Sequence, residues 1–208
     1  MITYYLTHII SWIICKIFFR LQAKGINNIP KTGSVLLVSN HVSNMDPIFI
    51  PTPVWRRKFN FLAKEELFRN PLVSAYFHKI KMFPIKRGRE GDLKAIKKSI
   101  ELLKSGELLL MFPEGTRSLT GELMPAKPGT ALIALKSDAL LVPTYIQGSR
   151  DVLPKGAKMI RPKKVTIYFG EPFRLNKFNE YHDNKEKYKI ASEEIMNKIS
   201  KLRDSVIV

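Results

Sequence analysis

An α/β domain with a mostly parallel sheet flanked by helices, led by an apolar N-terminal membrane-associating helix, is the fold class this sequence predicts. Three observations predict it. From Gly25 onward short apolar runs alternate with longer amphipathic ones, the pattern of strands and crossover helices. Two of those runs, Val35 to Ser39 and Leu108 to Phe112, are nearly continuous in apolar residues rather than alternating, as strands covered on both faces are. Finally, Ile2 to Phe19 carries Lys16 as its one full charge and stands apart from everything after it.

As a helix those first 18 residues span roughly 27 Å, slightly short of a hydrocarbon core of about 30 Å. No basic segment precedes the stretch and no small-residue cleavage site follows it, so a secretory signal peptide fits poorly. Thr3, Thr7, Ser11 and Cys15 recur every fourth residue and form one narrow stripe on an otherwise apolar surface. The stripe faces water if the helix lies in a membrane interface, or packs on the protein body. If the helix spans, Arg20 and Lys24 just beyond it keep the main domain on the cytoplasmic face. Residues 1–24 are therefore assigned to a membrane-associating segment and residues 25–208 to one α/β domain.

The later elements follow in order. Val35 to Ser39 is a strand, and Asp46-Pro47 opens a helix. Phe59 to Ala63 is a second strand, a helical stretch covers Asn70 to Lys79, and Met82 to Ile85 is a third strand. Asp92 to Ser105 is the clearest helix: Asp92 caps it, Leu93, Ile96, Ile100 and Leu103 share a face, and Gly106 ends it. Leu108 to Phe112 is a buried strand and Pro128 to Ser137 a helix. Leu141 to Gln147 is a strand interrupted by Pro143 and Thr144, and Lys163 to Phe169 alternates as an edge or outer strand does. A charged helix from about Lys185 to Arg203 closes the chain.

Bulk properties bound the function. The chain has 208 residues, enough for one domain with a sizeable core. Its 35 Lys and Arg against 18 Asp and Glu give a net charge of +17, which favours acidic partners without naming one. The single cysteine, Cys15, excludes an intrachain disulfide and a cysteine-rich metal site, and fits a reducing compartment. No zinc pattern, RRM signature or helix-turn-helix is present, so the charge is not read as nucleic-acid binding.

The first chemical motif is SNHVSNMDP, directly after the Val35–Ser39 strand. Ligands of open α/β sheets sit beyond the carboxyl ends of strands. His41 and Asp46 are five residues apart and would not share a face of one helix. They meet if His41 lies in the loop and Asp46 caps the helix that Pro47 opens. A carboxylate on one imidazole nitrogen fixes the tautomer and frees the other nitrogen as a base, which a hydroxyl nucleophile requires. The competing account makes Asp46 a helix cap and nothing more.

A second motif, FPEGTRS from Phe112 to Ser118, follows the Leu108 strand. Gly115 permits a turn or a close ligand approach, and the Arg117 guanidinium suits phosphate oxygens. Glu114 either binds a substrate hydroxyl or orients Arg117; an internal Glu-Arg pair in a polar turn is the plain alternative. Lys86 and Arg87 follow the Met82 strand and Lys64 follows the Phe59 strand. With Arg117 they put several cations near one sheet edge.

NHVSNMD, MFPIKRG, FPEGTRS and LVPTYI, in that order, resemble the four signature blocks of the glycerolipid acyltransferases, most nearly the bacterial 1-acylglycerol-3-phosphate acyltransferases. The similarity runs from about Gly25 to Gly170. It implies roles for individual residues. His41 is the base on the acceptor hydroxyl and Asp46 its orienting partner. Arg87 and Arg117 hold the acceptor phosphate, Glu114 positions its glycerol, and Gly115 allows close approach. Lys64 matches a basic position near the thioester carbonyl, where a donor stabilises the oxyanion. The sequence departs from the pattern in carrying Lys86 before Arg87, and its N-terminal region has room for one membrane helix.

The resemblance implies transfer of a fatty acyl group from a thioester to the sn-2 hydroxyl of lysophosphatidate, with glycerol 3-phosphate or another lysolipid as alternative acceptors. Neither a metal nor a cofactor is expected. The acyl group arrives on a co-substrate, acyl carrier protein or coenzyme A. The missing G-x-S-x-G argues against one route to an acyl-enzyme. The run Lys155, Lys158, Arg161, Lys163 and Lys164 docks an acidic carrier protein or anionic headgroups, or is a solvated surface. The expected partners are thus a lysophospholipid, a thioester donor and an anionic membrane surface, with no nucleic acid. A non-catalytic membrane tether is the rival reading, and it leaves the four blocks without a task.

Overall fold

The structure, a computed structural model, describes residues 2–85 and 89–206. Among them seven strands form one sheet. In chain order they are β1 (Gln22–Lys24), β2 (Val35–Ser39), β3 (Phe59–Lys64), β4 (Met82–Ile85), β5 (Leu108–Met111), β6 (Leu140–Gln147) and β7 (Thr166–Phe169). Across the sheet the order is β1-β7-β6-β2-β5-β3-β4. Every neighbouring pair is parallel except β6–β7. The helices are α1 (Ile2–Phe19), α2 (Asp46–Phe49), α3 (Pro71–Lys79), α4 (Arg89–Lys104), α5 (Pro128–Ser137), α6 (Ser149–Val152) and α7 (Asn184–Asp204).

β2 is central and buried along its whole length. Because successive strand residues face opposite ways, its side chains divide between two cores. Val35 and Leu37 join Cys15, Phe19 and Phe49 on one face. Leu36 and Val38 join Leu103, Ala131, Ile133 and Ile195 from α4, α5 and α7 on the other. The continuous apolar run in the sequence is the signature of this three-layer arrangement.

Several element boundaries differ from the expectation, each for a physical reason. Pro143 does not interrupt β6. It pairs in register with Val38 on the β2 side, and its carbonyl accepts from the Gly170 amide on the β7 side. The N–H that proline lacks would face just beyond the end of β7, so no ladder bond to β2 is lost. α4 begins at Arg89, so Asp92 lies inside the helix rather than capping it. α2 starts at Asp46 with Met45 as its cap. β7 starts at Thr166, and residues 163 and 164 are irregular and exposed. β7 is also not an edge, because β1 pairs outside it.

β1 and α1 tie the first residues to the sheet. Gln22–Lys24 form an edge strand in register with Thr166–Tyr168. Arg20, in the left-handed region at φ 44°, ends α1, and the Leu21 amide donates back to the Cys15 carbonyl at 3.1 Å. That is a helix-terminating loop built on arginine where glycine is usual. α1 turns Tyr4, His8, Cys15 and Phe19 inward. Tyr4 Oη accepts from the Phe59 amide at 2.9 Å, and His8 Nε2 donates to the Thr52 carbonyl at 2.8 Å. Of the two orientations the sequence allowed, the stripe lies on the body side, with Cys15 buried and Thr3, Thr7 and Ser11 half-buried beside the more deeply packed Tyr4, His8 and Phe19. The opposite face, with Leu6, Ile9, Ile10, Ile13, Ile14 and Ile17, is exposed.

Candidate active site

The carboxyl ends of β2 and β5 are neighbours, with Val38 in register with Met111. His41 and Glu114 therefore each lie three residues past a paired position, and the two loops leave the sheet in step. The His41 amide donates to Glu114 Oε1 at 3.0 Å, and the Ser118 amide donates to the His41 carbonyl at 2.8 Å. The His41 ring stacks on Phe112, centroids 3.9 Å apart and planes 17° from parallel. Two strand ends distant in sequence become one polar surface.

The carboxylate next to His41 is organised around a single oxygen. Asp46 Oδ2 accepts from His41 Nδ1, from the Val42 amide and from the Ser43 amide, each at 2.8 Å. Asp46 is fully buried, and the His41 side chain is 17% exposed. Instead of capping forward into α2, the carboxylate reaches back to the loop that carries the imidazole. Since a carboxylate with two amide donors is an acceptor, the proton of neutral His41 sits on Nδ1. Nε2 then carries the lone pair, and it makes no hydrogen bond among the described residues.

Glu114 is 3% exposed. Burial is the main cause that pushes its carboxyl up to about 7. The His41 amide, the nearby Met124 amide and the repulsion from Asp46 act more weakly, the amides downward and Asp46 upward. The Met124 amide is close enough to act electrostatically, yet Glu114 Oε2 has no partner within hydrogen-bond geometry. Near neutral pH this group is poised between its two protonation states. Glu114 and Arg117 form no ion pair, which removes the plain reading of the turn as an internal Glu-Arg pair.

Arg117 has a buried Nη1 without a partner among the described residues. Buried donors are nearly always paired, so an unpaired guanidinium nitrogen beside the His41 loop is a candidate place for an anionic oxygen. Gly115 sits at φ +69°, and a Cβ there would lie 2.8 Å from Lys127 Cδ. The glycine admits both the left-handed turn and the lysine that lies across it.

Lys64 is the exposed last residue of β3, in register with Ile85 of β4. β3 pairs with β5 only at Phe59 and Asn60, so beyond them the β3–β4 pair separates from the strand that leads to Glu114. No hydrogen bond or ion pair joins Lys64 to His41, Glu114 or Arg117. Arg87, with Lys86, lies outside the described residues.

Four participants carried no individual signal in the sequence. The Asn40 side chain is buried and pairs with the Ile146 backbone, donating to its carbonyl at 3.1 Å and accepting from its amide at 2.8 Å. It thereby prolongs the β2–β6 pairing up to the residue before His41. Ser43 Oγ donates to the Leu153 carbonyl at 2.9 Å. Asn40 directly follows the apolar strand and Ser43 lies in the same polar loop, which is the one signal that marks them. Lys127 and Lys155 reach the FPEGTRS turn from elsewhere; Lys155 Nζ donates to the Arg117 carbonyl at 3.2 Å. No local pattern could have found those two.

Comparison with known proteins agrees with this geometry. The profile of the Acyltransferase family matches residues 20–147. A 1-acyl-sn-glycerol-3-phosphate acyltransferase of Bacillus subtilis is 30% identical over 179 residues, 86% of each chain. One from Borreliella burgdorferi is 28% identical, over 88% of this chain and 73% of its own. The chloroplastic LPAT1 of Arabidopsis thaliana is 30% identical over 77% of this chain and 45% of its own. The crystal structure of PlsC, the 1-acyl-sn-glycerophosphate (LPA) acyltransferase from Thermotoga maritima, superposes with a TM-score of 0.77 at 28% identity, covering 96% of this chain and 79% of that one.

Proposed function

We propose that this chain, which belongs to the Acyltransferase family, transfers a fatty acyl group to the sn-2 hydroxyl of 1-acylglycerol 3-phosphate, forming phosphatidate. The observation that carries the chemistry is the three-donor contact at Asp46 Oδ2, which fixes His41 with a free Nε2. The printed activities of the bacterial relatives and of the solved neighbour support the acceptor.

In the reaction, His41 Nε2 takes the proton of the acceptor hydroxyl as its oxygen attacks the thioester carbonyl. A tetrahedral oxyanion forms, the carbon–sulfur bond breaks, and the imidazolium returns its proton to the departing thiolate. Asp46 stabilises the imidazolium in between. Arg117, whose Nη1 is unpaired, binds the acceptor phosphate, and Glu114 binds its glycerol. Gly115 keeps the turn open for the approach. The roles of Arg87 at the phosphate and of Lys64 at the oxyanion rest on the family resemblance. The donor is an acyl thioester, carried by acyl carrier protein or coenzyme A, and no metal or other cofactor takes part.

The exposed apolar face of α1 supports membrane association, with the helix lying against the bilayer and its inner face on the protein; the cytoplasmic side rests on the sequence alone, where the single cysteine fits a reducing compartment. An anionic membrane surface is then a partner in its own right.

The test is transfer of labelled acyl groups from both donors to lysophosphatidate, glycerol 3-phosphate and other lysolipids. Lysophosphatidate is the expected acceptor, and preference for another one overturns the assignment. His41→Ala abolishes transfer with the thermal melt unchanged; substantial residual turnover removes His41 as the base.

A further inference from the structure

Between α6 and β7 the chain makes a ten-residue excursion, residues 155–164, all of them exposed. Five are cationic (Lys155, Lys158, Arg161, Lys163 and Lys164) and none is acidic. In their midst Met159 and Ile160 stand 76% and 51% exposed. Lys158, Arg161, Lys163 and Lys164 make no ion pair with any described residue. Crowded like charges repel one another, and no described carboxylate pairs with these four.

Both ends of the excursion are fixed, and to informative places. At its start the Ser43 hydroxyl holds Leu153, Ser43 bridges Pro154, and Lys155 Nζ reaches the Arg117 carbonyl. At its finish the Val165 amide donates to the Phe19 carbonyl at 3.0 Å, and the Gln22 amide donates to the Val165 carbonyl at 3.0 Å. The segment thus runs from the rim of the His41 site to the C-terminal end of α1. There Lys16 and Arg20 are also exposed, beside Ile17 and Phe18 at 67% and 57% exposure.

The cations by themselves would suit an acidic protein as well as a membrane, so the choice falls to the apolar groups beside them and to the helix they adjoin. Adjacent apolar side chains set among cations, continuous with an exposed apolar helix, match a different partner: the apolar groups enter the acyl boundary while the cations meet headgroup phosphates. We propose that residues 155–164 form a second membrane-contacting element, which binds anionic phospholipid headgroups and brings the rim of the His41 site to the bilayer. The proposal rests on the reading that α1 lies against a membrane.

The experiment measures binding of the full chain to vesicles of phosphatidylcholine alone and of phosphatidylcholine mixed with phosphatidylglycerol. Wild type prefers the mixed vesicles, and the preference shrinks in high salt. Lys158→Gln/Arg161→Gln/Lys163→Gln loses roughly 100-fold in affinity for mixed vesicles, at ~5-fold per cation. It keeps its affinity for phosphatidylcholine and its transfer rate in detergent micelles, which also shows that it folds. Met159→Ser/Ile160→Ser weakens binding to both compositions.

Four results overturn the proposal. The first is a triple variant that keeps the wild-type preference for anionic vesicles. The second is a triple variant that loses only transfer from an acyl carrier protein donor, which makes the carrier the occupant. The third is wild type binding both vesicle types equally, which leaves α1 as the anchor. Wild type that binds neither vesicle refutes the membrane reading along with it.

Discussion

At the scale of single residues the site depends on where two buried carboxyls sit. Asp46 Oδ2 takes three donors, so Asp46→Asn keeps an acceptor for the loop amides but removes the charge that stabilises imidazolium. We expect kcat to fall roughly 100- to 10,000-fold with little change in melting temperature; a variant with near wild-type kcat shows that His41 needs no anionic partner. Glu114 makes a prediction about pH. Its carboxyl is raised from 4.5 to about 7 in the folded protein, so between those values the native state holds a proton that the unfolded chain has released. Stability therefore falls as pH rises through that window, by about 3 kcal/mol in all. Glu114→Gln keeps an acceptor for the His41 amide and lacks the slope. Unfolding free energies of the two proteins, from denaturant titrations, diverge between about pH 4.5 and pH 7 by about that amount; parallel curves exclude the raised carboxyl. Neither effect is visible in the sequence around Glu114, because burial arises from segments that fold over it.

At the scale of elements the strand ends were largely legible. The run before His41 and the run before Phe112 are both continuous in apolar residues, and each became a strand with neighbours on both sides and layers above and below. Cap chemistry survived in part: Gly106, in the left-handed region, follows the end of α4 as expected, whereas neither Asp46 nor Asp92 is an N-cap. Expectation failed where a long-range partner changes the meaning of a local signal. Pro143 reads as a break until β7 is seen to end beside it. α1 has two faces of different chemistry, and only the body of the protein decides which is covered. That decision yields a paired prediction. Ile9→Gln/Ile13→Gln/Ile17→Gln alters the outward face, so it abolishes binding to phosphatidylcholine vesicles and leaves the melting temperature within a few degrees. Deleting residues 2–19 strips Cys15 and Phe19 from the core and takes the acceptor from the Phe59 amide. Its melting temperature drops markedly, as loss of buried apolar groups and a buried hydrogen bond requires. If the deletion melts like wild type, α1 is an appendage and not part of the fold.

For the molecule as a whole, the sequence by itself determined the class of fold, the order of most elements, and the two polar turns at strand ends where chemistry would be found. It determined also that His41, Asp46, Glu114 and Arg117 belong to those turns. These are properties of neighbours within a few residues, and periodicity and turn preference report them directly. Tertiary structure decided the rest. It brought the His41 amide to Glu114 across 73 positions of chain, delivered Lys127 and Lys155 to the FPEGTRS turn, and left Lys64 on a strand that separates from the site. It also joined the basic segment at one end to the rim of the His41 site and at the other to the apolar helix. Each of these follows from sheet order and register, which arise from packing among all the strands at once and leave no mark on any one stretch of sequence.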